Sequence, residues 1–221
     1  MSQSMSKSLN ILKEEVYLEQ ENNQGCPEIA DAYIFVDLET GGLNPDKHTI
    51  LQIAAVITDL DLKIQDSFIT YVKPHPKLET TKDALAINQI KLADLESAPD
   101  EPSVARALHQ FAHIGGKRAR FAGYNCKFDL TFLNNLWQRH DIFEPPYLVP
   151  WLDVYDLAKT KFTYDAGLPN FKLVTVAAQL GIDTSGAHNA GADITMTIEV
   201  ARRLRALPDR SGAAILETSK F

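Results

Sequence analysis

The chain is short of the residues that staple secreted or zinc-bound proteins. Its only two cysteines, Cys26 and Cys126, lie far apart and without metal-ligand spacing. Neither a disulfide framework nor a thiolate zinc site is indicated, and reduced thiols are expected. No stretch approaches the roughly 20 apolar residues that span a bilayer. The opening M-S-Q-S-M-S-K-S-L-N has no apolar core of the kind a secretory signal needs. A soluble, cytoplasmic protein with no membrane association is therefore expected. Positive charge is also scarce: 22 basic residues stand against 29 acidic ones, a formal charge of −7. That balance argues against a protein that coats long duplex nucleic acid through a broad basic face. It leaves room for an enzyme that grips a chain end, because a carboxylate cluster around divalent ions would itself push the count negative. Internal repeats and low-complexity tracts are missing. What is present, 45% hydrophobic and 23% charged residues, is ordinary globular composition within the range of one compact domain.

Residues 1–31 are polar and acidic without a sustained apolar period and are expected to be an extension, partly helical at most. The compact domain is placed at 32–208, with 209–221 as a loose tail. Within it, A-Y-I-F-V-D, I-L-Q-I-A-A-V-I-T-D and K-I-Q-D-S-F-I-T-Y-V-K-P read as three strands joined by tight antiparallel connections. Val104, Leu108 and Phe111 follow Pro102 at helical intervals, R-F-A-G-Y-N reads as a strand, and a helix is expected from about Lys127 to Arg139. A proline-rich link, E-P-P-Y-L-V-P, precedes W-L-D-V-Y-D-L-A-K, read as a short strand running into a helix. Two further helical patterns, F-K-L-V-T-V-A-A-Q-L-G and A-G-A-D-I-T-M-T-I-E-V-A-R-R-L-R-A-L-P, close the domain. The order is α/β with a mixed central sheet, since the first three strands are too closely connected for helical crossovers.

The first strand ends in Asp37-Leu38-Glu39. Residues two apart on a strand share a face, so both carboxylates reach one point. Like charges there repel unless something positive lies between them, and a divalent cation is the simplest such partner; a solvated strand end is the plainer alternative. Asp129 sits inside an apolar helical pattern with Phe128, Phe132 and Leu133, where an unpaired carboxylate is costly. His188 and Asp193 lie at or near the start of the last helix, with Ala190, Gly191 and Ala192 permitting close packing. Acid ligands without cysteine favour Mg²⁺ or Mn²⁺ over zinc.

In family order, Asp37-x-Glu39, Asn125-x-x-Phe128-Asp129 and His188-x-Ala190-x-x-Asp193 resemble the three motifs of the DEDDh (DnaQ-like) 3′-to-5′ exonucleases over roughly residues 33–205. That family includes polymerase III epsilon-type proofreading subunits and ribonuclease T-like enzymes. Gly41 stands where the frequent family form has threonine. The resemblance implies a ribonuclease H-like fold with a mixed sheet of about five strands and helices on both faces. It implies two divalent metal ions, Mg²⁺ or Mn²⁺, with Asp37 bridging both, Glu39 and Asp193 completing the water-activating site, and Asp129 holding the second ion. His188 would be the general base. Thr40, Leu43, Ile90, Asn125 and Phe128 would contact the terminal nucleotide, although core packing is an equal alternative for Leu43, Ile90 and Phe128. The implied substrates are 3′ ends of single-stranded DNA or RNA, DNA first, releasing nucleoside 5′-monophosphates, with a DNA polymerase as a candidate partner. An RNA-trimming exoribonuclease and a non-catalytic exonuclease-like binding module are the rivals.

Other features compete weakly. His109 and His113 have the spacing of a helical zinc pair, but Gln110 occupies the position of the required glutamate. The basic run G-G-K-R-A-R-F at 115–121 reads equally as a contact for a nucleic-acid backbone or as a solvated loop leading into a strand, and Lys172 as a solvated lysine ahead of a phosphate contact. Trp137 and Trp151 read as packing residues, and Asp153 and Asp156 as structural acids.

Overall fold

The computed structural model describes residues 31–114, 117–143, 147–162, 167–185, 187 and 189–208. The proposed extension, apart from Asp31, and the tail lie outside these residues, as does His188. β1 (Ala32–Thr40), rich in aromatic and β-branched residues, is the spine. β2 (Ile50–Asp59) pairs with it antiparallel, and β3 (Ile64–Tyr71) pairs antiparallel with β2. The turn between them is held by Asp59, whose Oδ1 accepts from the N–H groups of Asp61 and Lys63 at 3.0 and 2.8 Å. On its other side β1 pairs parallel with β5 (Lys117–Gly123), and β5 parallel with β6 (Tyr147–Asp153). The result is the mixed sheet β3-β2-β1-β5-β6, with the two-residue β4 (His113–Ile114) adding an antiparallel bridge to the start of β5.

Strand alternation divides the core in two. Ile34, Val36 and Leu38 face a cluster with Leu108, Leu130 and Leu133, contributed by α3 (Glu101–Phe111) and α4 (Cys126–Arg139). Phe35 faces the other way, into a cluster with Ala158, Val176 and Ile194 from α5 (Val154–Phe162), α6 (Leu173–Gln179) and α7 (Ala190–Ala206). Helices therefore cover both faces, as expected. Asp37 and Glu39 continue the Phe35 side of β1, toward α7.

Two departures from the sequence reading bear on the site. Residues 147–150, expected as link, form the start of β6. This strand pairs with β5 on one side, and such an edge position tolerates Pro150. Two short helices not anticipated, α1 (Lys82–Asn88) and α2 (Leu92–Glu96), follow β3. Thr81 caps α1, its hydroxyl oxygen accepting from the Ala84 N–H at 3.1 Å.

Candidate active site

β1 carries Asp37 and Glu39 to the carboxyl end of the sheet opposite Ala54 and Gln52 of β2. A register shift between Glu39 and Thr40 ends the regular ladder directly after the second acid. α7 delivers the third acid. Its start is capped by Asn189, which accepts from the Gly191 and Ala192 N–H groups at 3.1 and 3.3 Å. It is docked on the sheet by the Ala190 N–H, which donates to the buried Gln52 Oε1 at 3.3 Å. The small residues act as expected: the side chain of Ile69 on β3 lies so near Gly191 that an added Cβ would meet it at 3.1 Å. Asp193, four residues into this helix, thereby joins Asp37 and Glu39, and one carboxylate oxygen from each lies within 4.8 Å of the others.

Asp129 enters from the first turn of α4. It is buried, and its Oδ1 accepts the backbone N–H of Leu38, the residue between Asp37 and Glu39, at 3.1 Å. Asp129 lies outside the tight triad but is the strongest charged neighbour of Asp37. Burial, followed by Asp129, Asp193 and Glu39, pushes the Asp37 carboxyl well above the usual carboxylate range. Burial and then Asp193 raise Glu39 from 4.5 to about 7. Asp129 is also pushed up, mainly by burial, against the lowering effect of backbone N–H donors including Leu38. Four carboxylates thus crowd together, with burial and neighbouring carboxylates raising Asp37, Glu39 and Asp129. An all-oxygen donor set under this mutual repulsion fits hard divalent cations such as Mg²⁺ or Mn²⁺.

The loop after β1 shapes the mouth. Thr40 is buried and its hydroxyl donates to the Gly42 carbonyl at 2.8 Å. Gly41 donates to Thr49 O at 2.8 Å and accepts from Thr81 N at 2.7 Å. A Cβ at position 41 would sit 2.6 Å from Glu79 O, so the strap at 78–81 requires glycine where the family form has threonine. Leu43, beyond this turn, is 83% exposed. Asn88 on α1 donates to Thr40 O at 3.4 Å, which sets the short helix beside the loop. Ile90 is 8% exposed and packs with Leu51 and Leu95, whereas Ile87 on the same segment is 62% exposed. Phe128 is half-buried, its ring 5.1 Å from that of Phe132, and the Asn125 side chain is exposed from a left-handed backbone at φ 63°. Sequence spacing therefore found the acids but missed Gln52, Asn88 and Ile87. Thr81 as an N-cap was the one local signal for the helix that carries the last two.

The rival histidine pair packs ring on ring at 4.6 Å, with His113 Nδ1 donating to His109 O at 2.8 Å. Among the described residues the only group of three or more potential metal ligands is Asp37, Glu39 and Asp193. No helix of the described residues is long and apolar enough to cross a membrane.

Comparison with known proteins places these features in context. A family profile described as exonuclease matches residues 34–201. Exodeoxyribonuclease I of Escherichia coli K12 is 27% identical over 192 residues, covering 78% of this chain but 40% of that enzyme. A PolC-type DNA polymerase III of Oceanobacillus iheyensis is 30% identical over 168 residues, 76% of this chain and 11% of the polymerase. The epsilon subunit of DNA polymerase III from Aquifex aeolicus is 25% identical over 76% of this chain and 77% of the subunit. Among solved structures, E. coli Exonuclease I in complex with a dA16 oligonucleotide superposes with a TM-score of 0.70 at 25% identity, covering 79% of this chain and 41% of that one. The chain thus spans less than half the length of the exonuclease and about a tenth of the polymerase.

Proposed function

The chain belongs to the exonuclease family, and from that premise we propose that it removes nucleotides one at a time from the 3′ ends of single-stranded nucleic acid, DNA before RNA. The observation that carries this reading is the convergence of Asp37, Glu39 and Asp193 from two distant elements, with Asp129 bonded to the strand between the first two. The DNA preference rests on relatives whose names specify DNA and on a neighbour seen with an oligodeoxynucleotide. A DNA polymerase is the corresponding candidate partner.

In this reading Asp37, Glu39 and Asp193 would hold one divalent ion, and Asp37 with Asp129 a second. When bound, the ions supply an acidified water and neutralise charge at the scissile phosphate. The protein's own residues do the rest. The Leu38 N–H holds Asp129 toward the cluster, which helps to organise the donor set before substrate arrives. Leu43 and Ile87 offer apolar surface to the terminal base, with Ile90 supporting from the core behind. Asn125, Phe128 and the Thr40 turn complete the nucleotide pocket. His188, two residues before α7, takes the proton of the attacking water. The P–O3′ bond of the last phosphodiester breaks and a nucleoside 5′-monophosphate leaves.

Digestion of 3′- and 5′-end-labelled single-stranded DNA and RNA, with Mg²⁺ or with chelator, tests this. Stepwise loss from the 3′ end, faster on DNA and abolished by chelator, is expected. Digestion from the 5′ end would refute the polarity, and faster loss of RNA would reassign the substrate.

A further inference from the structure

We infer that Asp153, the last residue of β6, is the positioning residue that fixes Asp129 for metal binding. This rests on the ligand role proposed above for Asp129. α4 starts without help from its own N-cap residue: Asn125 holds φ 63° and ψ 53° and its side chain makes no capping hydrogen bond. The first N–H groups of a helix have no partner within it and need an outside acceptor. Asp153 supplies one with both oxygens. Oδ1 accepts from the N–H groups of Asn125 at 2.9 Å and Tyr155 at 3.0 Å, and Oδ2 accepts from the Cys126 N–H at 2.9 Å. One carboxylate therefore pins the first turn of α4 and the start of α5 together, through charge-assisted bonds.

Asp129 lies in that same first turn, three residues after Cys126. The turn is thus held at two points: by Asp153 at its beginning, and by the Leu38 N–H at the Asp129 carboxylate. Ligand sets tolerate misplacements of only about 0.5 Å, so loosening the first point moves a ligand that the second alone cannot aim. A residue serving stability alone would affect unfolding and leave metal binding in the folded protein untouched.

Calorimetric titration of the full chain with Mn²⁺ separates the two roles, using wild type, Asp153→Asn, Asp153→Glu, Asp129→Asn and Asp156→Asn at a temperature where circular dichroism shows each folded. Asp156 is exposed and nearby, so its variant controls for charge. Asp153→Asn loses the Oδ2 acceptor, and Asp153→Glu keeps charge and acceptors but displaces them by a methylene. Both are expected to weaken Mn²⁺ binding about 10- to 100-fold. Both should lower kcat on single-stranded DNA with little change in KM, while Asp156→Asn matches wild type. Should Asp153→Asn fail to fold, Asp153→Glu decides. Wild-type Mn²⁺ affinity and kcat in the folded Asp153 variants, with Asp129→Asn impaired, would overturn the inference alone. Wild-type binding in Asp129→Asn would instead overturn the ligand assignment on which it rests.

Discussion

Glu39 gives the site a measurable pH signature. Its carboxyl is raised from 4.5 to about 7, so without metal the folded protein favours the protonated form. The stability Glu39 contributes is complete below 4.5 and is lost as pH rises through about 7. Melts of the chelated protein should therefore fall across that window relative to Glu39→Gln, and added Mg²⁺ should restore the loss above it. A metal-free profile identical in the two proteins would contradict the assigned environment. Gly41 is a second test at this scale. With Glu79 O 2.6 Å from the site of a Cβ, Gly41→Ala should cost about 1–3 kcal/mol in urea denaturation. The residue scale is also where legibility was most uneven. Asp37 and Glu39 announced themselves because period two is a local property. Gln52 and Asn88 could not, because the groups they hold, Ala190 N and Thr40 O, are 138 and 48 residues away in sequence.

Among the elements, α4 has most to position and is held at both ends. At its carboxyl end the buried Glu101 of α3 accepts from Arg139 Nε at 2.8 Å and lies 2.9 Å from His140 Nε2. Arg139→Ala removes the guanidinium from that buried carboxylate and leaves it to His140, and because Arg139 itself reaches solvent the expected loss is about 2 kcal/mol, below that of a fully buried pair. Denaturant titration should show this loss while Mn²⁺ affinity stays near wild type, since the break lies at the end of α4 opposite Asp129. The long helices α3, α4 and α7 were legible from their apolar patterns, helped in α3 by Pro102 at its first turn, and β1 to β3 from their β-branched runs. α1 and α2 were not, because seven and five residues are too short to show a period of 3.6. β6 was half hidden because Pro150 within it reads as a breaker until its edge position is known.

For the whole molecule, the net negative charge that argued against a duplex-coating protein includes four acids at the site that repel one another. A divalent ion that binds the folded state but not the unfolded one should stabilise the protein by about 2.7 kcal/mol at a hundredfold excess over Kd. Thermal melts with and without Mg²⁺ should show that shift in wild type and not in Asp193→Asn. The most direct test of the central claim is anomalous diffraction from crystals grown with Mn²⁺. The predicted result is a peak within coordination distance of Asp37, Glu39 and Asp193 that vanishes in Asp37→Asn. A saturating Mn²⁺ crystal with no peak there, or with an unchanged peak in Asp37→Asn, would contradict the account.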